Sequence, residues 1–108
     1  MFRNGKVFYK NIFCGVISEH SEGYGFQYDP AYLTNPKAQA ISGALPLRRS
    51  AFNSTFLFPF FDGLIPEGWL LNLAEEHWKF SQRDRMGLLL HCCKDSIGAV
   101  SIIKNEEL

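Results

Sequence analysis

The chain predicts an α+β domain: a small curved antiparallel sheet or partly closed barrel, with helices from the C-terminal half packed on it. Three observations carry this. The first third alternates with a period of two between turn residues. Most of the final third repeats its apolar residues at helical spacing. The run Ile97–Ile103, IGAVSII, then supplies one more β-rich stretch to rejoin the sheet. A length of 108 residues fits a single domain over 1–108. Such a chain builds one hydrophobic core and has limited room for a separate active-site module. No internal repeat or low-complexity linker interrupts it.

Val7, Phe8 and Tyr9 are strand formers, and Lys10-Asn11 makes a turn into a return strand, Ile12 to Ile17. Gly15 within that strand marks a bulge or a close backbone approach. Ser21, Glu22 and Gly23 form the next turn. Tyr24, Phe26 and Tyr28 then alternate with Gly25 and Gln27, which places three rings on one face of a strand. These segments make a three-stranded meander, ended at Asp29-Pro30 because proline cannot donate to a ladder. Ala31-Tyr32-Leu33 suits one helical turn, broken by Asn35-Pro36. A short strand is expected at Ala40-Ile41-Ser42. Asn53-Ser54-Thr55 is expected to cap a helix that begins near Phe56 or Leu57, with Pro59 in its first turn.

Leu70, Leu73, Ala74, His77 and Trp78 follow the i, i+3, i+4, i+7, i+8 spacing of a helix ending at Phe80-Ser81. Ser81 or Asp84 caps the next helix, whose stripe is Met86, Leu89, Leu90 and Cys93. Gly87 inside it costs about 1 kcal/mol relative to alanine, or marks a close helix contact. Lys94-Asp95-Ser96 makes a turn, and Asn105 to Leu108 fray.

The run Phe56–Leu71, FLFPFFDGLIPEGWLL, holds five aromatics and two prolines. A small domain must bury most of those rings, which makes the run the hinge of the core. Trp69 follows the turn Pro66-Glu67-Gly68 and has two readings. It folds back onto the core, or it is pushed outward as an anchor for a protein partner.

Eleven basic and eleven acidic side chains cancel. No basic excess is present to neutralise phosphates, which argues against direct nucleic-acid binding. Cys14 stands alone and Cys92 and Cys93 are adjacent, an odd count without the spacing of a disulfide framework. This points to a cytoplasmic protein whose cysteines act as small buried apolar residues. No secretory leader or membrane-spanning run stands out.

Chemistry is sparse. Asp62 and Glu67 form a conceivable carboxylate pair, yet each suits backbone capping better. His91 and Cys92 point about 100° apart on a helix and cannot face each other. Arg48-Arg49 reads as an anion site or as a solvated loop. The histidines lack ligand spacing, and no phosphate loop is present. The residues name no catalytic group, no cofactor and no metal, so a non-enzymatic protein is expected.

Taken in order, several blocks resemble one family. These are Tyr24-Gly25-Phe26-Gln27-Tyr28, Ala31-Tyr32-Leu33, Ile41-Ser42 with Leu45-Pro46-Leu47, Phe60-Phe61-Asp62-Gly63-Leu64-Ile65-Pro66-Glu67-Gly68, Leu88-Leu89, and Asp95-Ser96-Ile97-Gly98-Ala99-Val100. Together they look like the N-terminal subdomain of HipA-type serine/threonine kinases, the toxins of bacterial toxin–antitoxin systems. Cys92-Cys93-Lys94 departs from the pattern, where the family more often has a glycine and a basic residue. HipA-type kinases continue into ATP-binding and catalytic lobes, whereas this sequence stops soon after Ile103. The resemblance therefore extends to HipS-type proteins, the free-standing subdomain of three-component HipBST systems.

That resemblance implies an antitoxin that binds and inhibits a HipT-like kinase, with a HipB-like DNA-binding protein in a larger complex. Inhibition would act near the kinase's nucleotide-binding loop or by blocking substrate entry. The expected partner face is Asp62, Pro66, Glu67, Gly68 and Trp69. Two alternatives remain: a structural fragment or subunit of a HipA-type kinase, and a co-repressor acting through the HipB-like protein.

Overall fold

The computed structural model describes residues 2–65, 84–93 and 99–105, Cys92 by its backbone alone. Among them, five strands, β1 (Asn4–Tyr9), β2 (Ile12–His20), β3 (Gly23–Tyr28), β4 (Phe52–Ser54) and β5 (Val100–Lys104), form one antiparallel sheet. Their spatial order is β4-β3-β2-β1-β5. The described strands thus form an open sheet, which decides between the two expected architectures. Among the described residues three short helices accompany it: α1 (Pro30–Leu33), α2 (Pro59–Asp62) and α3 (Arg85–Cys92).

The expected meander is present. Lys10 and Asn11 both take positive φ, 51° and 67°. This is the turn geometry whose twist matches two antiparallel strands joined by a two-residue loop. Opposite Val7 and Phe8, β2 pairs through Gly15 and Phe13, so Cys14 is the extra residue of a bulge. Gly15 itself lies between Val7 on one side and Tyr28 on the other. A Cβ there would sit 2.4 Å from the Gln27 carbonyl oxygen and 3.0 Å from the Phe26 ring. Bulge and close approach thus fall on neighbouring residues.

The core covers one face of the sheet. Ile102, Val7, Gly15 and Tyr28 form one cross-strand row, and Gly5, Ile17, Phe26 and Phe52 form the next. Phe26 meets Tyr28, Phe52 and Phe61 with ring centroids 4.9, 6.4 and 5.4 Å apart. Each buried ring contributes about 1.5–3 kcal/mol by leaving water. Met86, Leu88, Leu89, Leu90 and Cys93 bury α3. Leu88 joins the expected stripe, and Leu90 packs on Gly5.

The middle of the chain corrects two expectations. Residues 40–42 form no strand; a single bridge, Ser42 to Leu45, replaces it. The local backbone finds tyrosine hydroxyls instead of a ladder. Tyr28 accepts the Ile41 N–H at 3.1 Å and donates to the Leu45 carbonyl, while Tyr32 accepts from Gln39 N–H at 2.9 Å and donates to its carbonyl at 2.7 Å. Residues 53–55 do not cap a helix. Asn53 and Ser54 belong to β4, because Phe52 pairs with Phe26 and is drawn into the core. The helix starts later, at Pro59, without a side-chain cap. Asn105 is not frayed, since its N–H donates to the Asn4 carbonyl at 3.0 Å.

The helix expected over 70–80, the Lys94–Ser96 turn and residues 97–98 lie outside the described residues. Val100 to Ile103 do return to the sheet, antiparallel to β1.

Tyr28 is 1% exposed, and its hydroxyl is shared by two backbone groups of the 41–45 segment. Burial holds its phenol above the ordinary value, which keeps it protonated and able to donate. Tyr28→Phe should cost about 1–3 kcal/mol in urea unfolding, since both backbone partners lose their bond. A change below about 0.5 kcal/mol would show that the hydroxyl does not hold this segment.

Candidate functional site

Of the residues expected to form the partner face, Asp62 is described; Pro66, Glu67, Gly68 and Trp69 lie outside the described residues. Asp62 closes α2, and its Oδ1 accepts from Arg85 Nε at 2.7 Å. It therefore ties α2 to the first turn of α3 rather than capping a backbone N–H. Its side chain remains 45% exposed.

The 56–65 stretch behaves as the hinge of the core with one exception. Leu57, Phe58, Phe61 and Ile65 are buried and Phe60 packs partly against them. Phe56 is 79% exposed. The run is expected to bury most of its rings, with Trp69 as the exception weighed, whereas Phe56 is a ring the structure leaves outside. The available signal was the polar run Asn53-Ser54-Thr55 just before it. Ser54 ends β4 and its Oγ accepts the Phe56 N–H at 3.3 Å, which turns the chain outward before Leu57 enters the core.

Phe56 lies on a groove of about 370 Å³ that it shares with Tyr24, Thr55, Leu57, Asp62 and Arg85. A second groove, of about 610 Å³, includes Phe2, Arg3, Glu19, Glu22, Tyr24 and Thr55. The two meet at Tyr24 and Thr55, beside the end of the β2–β3 hairpin.

The floor of the second groove is ionic. Arg3 donates from Nε to Glu19 Oε1 at 2.7 Å and from Nη2 to Glu19 Oε2 at 3.2 Å. It also donates through both terminal nitrogens to Asp84, at 3.0 and 2.7 Å. Asp84 accepts the Gly87 N–H at 3.1 Å, so one carboxylate caps α3 and holds Arg3. This forked geometry fixes direction as well as distance. The Arg3 guanidinium, with its hydrogen bond first, lowers the Asp84 and Glu19 carboxyls below their usual range. The two carboxylates in turn raise Arg3.

Arg48 does not form an anion site with Arg49. Its guanidinium lies 3.7 Å from the Phe52 ring centroid and donates to the carbonyls of Ser50 and Ala51. Cys14 and Cys93 are buried, with the Cys14 thiol pushed up to about 12 by burial, then by Asp29. Both are buried as expected, and the Cys93 thiol also donates to the Leu64 carbonyl at 3.3 Å. Among the described residues no group of His, Cys, Asp and Glu is placed to hold a metal, and no helix is long and apolar enough to cross a membrane.

Two tests follow from the clasp. A Cβ on Gly87 would meet Asp84 Oδ2 at 2.3 Å and Arg3 Nη1 at 3.0 Å. Asp84 cannot swing aside without leaving Arg3 and the helix end. Gly87→Ala should therefore destabilise by about 1–3 kcal/mol despite alanine's better helix propensity, read by urea unfolding. A stabilised variant would mean that the clasp is loose. For pH, both depressed carboxyls bind protons less readily folded than unfolded. Their contribution is full above the unfolded value of about 4 and is lost as pH falls through the lower folded values. Melting temperature should fall below about pH 4, and Arg3→Ala should flatten that decline. An identical acid profile in both proteins would remove the clasp as its source.

The model of the HipA N-terminal domain family matches residues 5–103. An uncharacterized protein of Haemophilus influenzae is 35% identical over 107 residues, spanning 99% of this chain and 97% of that protein. A solved N-terminal domain of HipA toxin superposes with a TM-score of 0.76 at 32% identity, covering 98% of this chain and 95% of that one.

Proposed function

The chain belongs to the HipA N-terminal domain family, and on that premise we propose that it works as a HipS-type antitoxin. In this reading it binds a HipT-like serine/threonine kinase and inhibits it, with a HipB-like DNA-binding protein in the larger complex. One observation carries the reading. The Haemophilus influenzae relative is matched over 97% of its own length, so a protein of this extent exists there without kinase lobes. That supports a subdomain acting as a separate protein over a fragment of a kinase.

The family match is to the N-terminal subdomain rather than to the kinase domain, which supports a protein without catalysis of its own. Buried thiols at Cys14 and Cys93 suit a reducing compartment, and we place its action in the cytoplasm. The balanced charge favours contact with DNA through the HipB-like protein rather than directly. The partner face in this reading is Asp62 with Pro66, Glu67, Gly68 and Trp69, and Trp69 serves as the anchor.

Co-expression with a HipT-like kinase should restore growth that the kinase alone arrests, and the purified chain should transfer no phosphoryl group. Continued arrest with both proteins soluble refutes the antitoxin role. Trp69→Ala should weaken kinase binding by about 2 kcal/mol or more while the thermal melt stays in place. A core role for Trp69 would instead cost about 3–5 kcal/mol of stability.

A further inference from the structure

Among the described residues, Phe2 and Phe56 are 58% and 79% exposed, and each shares a groove with Tyr24. Large rings left in water at one place mark a surface that something else covers. Electrostatics say what kind of surface covers them. The guanidinium groups of both grooves are occupied, Arg3 by Glu19 and Asp84, and Arg85 by Asp62. Two carboxylates have acceptor capacity left. Glu22, at the exposed hairpin turn, has no hydrogen-bond or ion-pair partner among the described residues. Asp62 gives one oxygen to Arg85 and has no further partner for the other among them. Among the described residues, Arg3 and Arg85 stand against Glu19, Glu22, Asp62 and Asp84 here, an acidic excess that the neutral chain as a whole does not share.

We propose that the face built from Phe2, Tyr24 and Phe56, with Glu22 and Asp62, is a docking surface for the kinase, and that it receives a basic segment carrying an apolar side chain. The proposal rests on the antitoxin reading above. Asp62 links the two: it lines the Phe56 groove and stands in the same block as Pro66-Glu67-Gly68. Asp62 is thus the described member of the expected partner face that also lines this surface. An aromatic ring seated beside apolar atoms supplies affinity at such a surface, whereas rim carboxylates steer a basic partner and set the association rate.

The test uses the full chain and a purified HipT-like kinase, with affinity and association rate measured at two salt concentrations. Phe56→Ala should weaken binding about 30-fold and leave the melting temperature unchanged, because the ring makes little of the core. Glu22→Lys should slow association about tenfold at low salt, and the effect should shrink as salt rises. Both variants binding within twofold of the unaltered chain would overturn this docking surface and leave the antitoxin reading standing. Failure of the unaltered chain to bind the kinase would overturn both. Sedimentation of the chain alone as a dimer that Phe56→Ala converts to monomer, with kinase binding retained, would assign the face to a second copy and overturn the kinase assignment.

Discussion

Phe26 can occupy the centre of this protein because residue 15 has no side chain. Its ring lies 3.0 Å from where a Cβ on Gly15 would stand, and from there it reaches Tyr28, Phe52 and Phe61. Those three contacts tie the rest of the fold to β3. Phe52 brings β4 to the sheet edge, Phe61 brings α2 over the face, and Tyr28 carries the irregular 41–45 segment on its hydroxyl. The mutual arrangement of Phe26 with Tyr28 is edge-on, which places the positive edge of one ring against the negative face of the other. A single close approach between two strands therefore organises elements that are far apart in sequence.

A second constraint works at the other end of the sheet. The segment before β1 carries Arg3, β2 carries Glu19, and α3 begins at Asp84. One guanidinium joins all three. Half-exposed ion pairs are individually weak, because solvent screens them and ordering long side chains costs entropy. This one gains from geometry: the forked donors are both satisfied, and one acceptor also caps a helix. Gly87 fits as part of that geometry, giving Asp84 and Arg3 the space a methyl group would take. The clasp settles where α3 starts and hence how Leu88, Leu89 and Leu90 meet the core.

Both constraints bear on the surface. By anchoring β4 and α2 on either side of residues 55–58, the aromatic core forces the short connection between them to turn sharply. Leu57 and Phe58 take the inward positions, and Phe56 is left outside. Asp62 ties the end of α2 to Arg85 and presents its carboxylate beside that ring. The most exposed aromatic ring among the described residues thus arises from packing the others. Under the antitoxin reading, a recognition surface emerges from the way the core closes.

Much of the fold was legible in the residues themselves. Alternation at Tyr24, Phe26 and Tyr28, the Lys10-Asn11 turn, the Asp84 cap and the β-rich end near Val100 each encode a local preference, and local preferences act over a few residues whatever the rest of the chain does. The ordered blocks around Phe60–Gly68 and Asp95–Val100 likewise identified the family. Other features depended on partners distant in sequence. Asn53 and Ser54 look like a helix cap, yet they pair with β3 because Phe52 is held against Phe26. Ala40–Ser42 has strand character, yet the Ile41 N–H and the backbone groups of Gln39 and Leu45 are taken by the hydroxyls of Tyr28 and Tyr32. Asp62 reads as a cap or a catalytic carboxylate, and only the approach of α3 gives it Arg85. Phe56 reads as core by composition. Sequence determined which residues favour which local shape; tertiary structure decided which ring stayed in water, because burial is settled by competition for one core among residues that no local pattern compares.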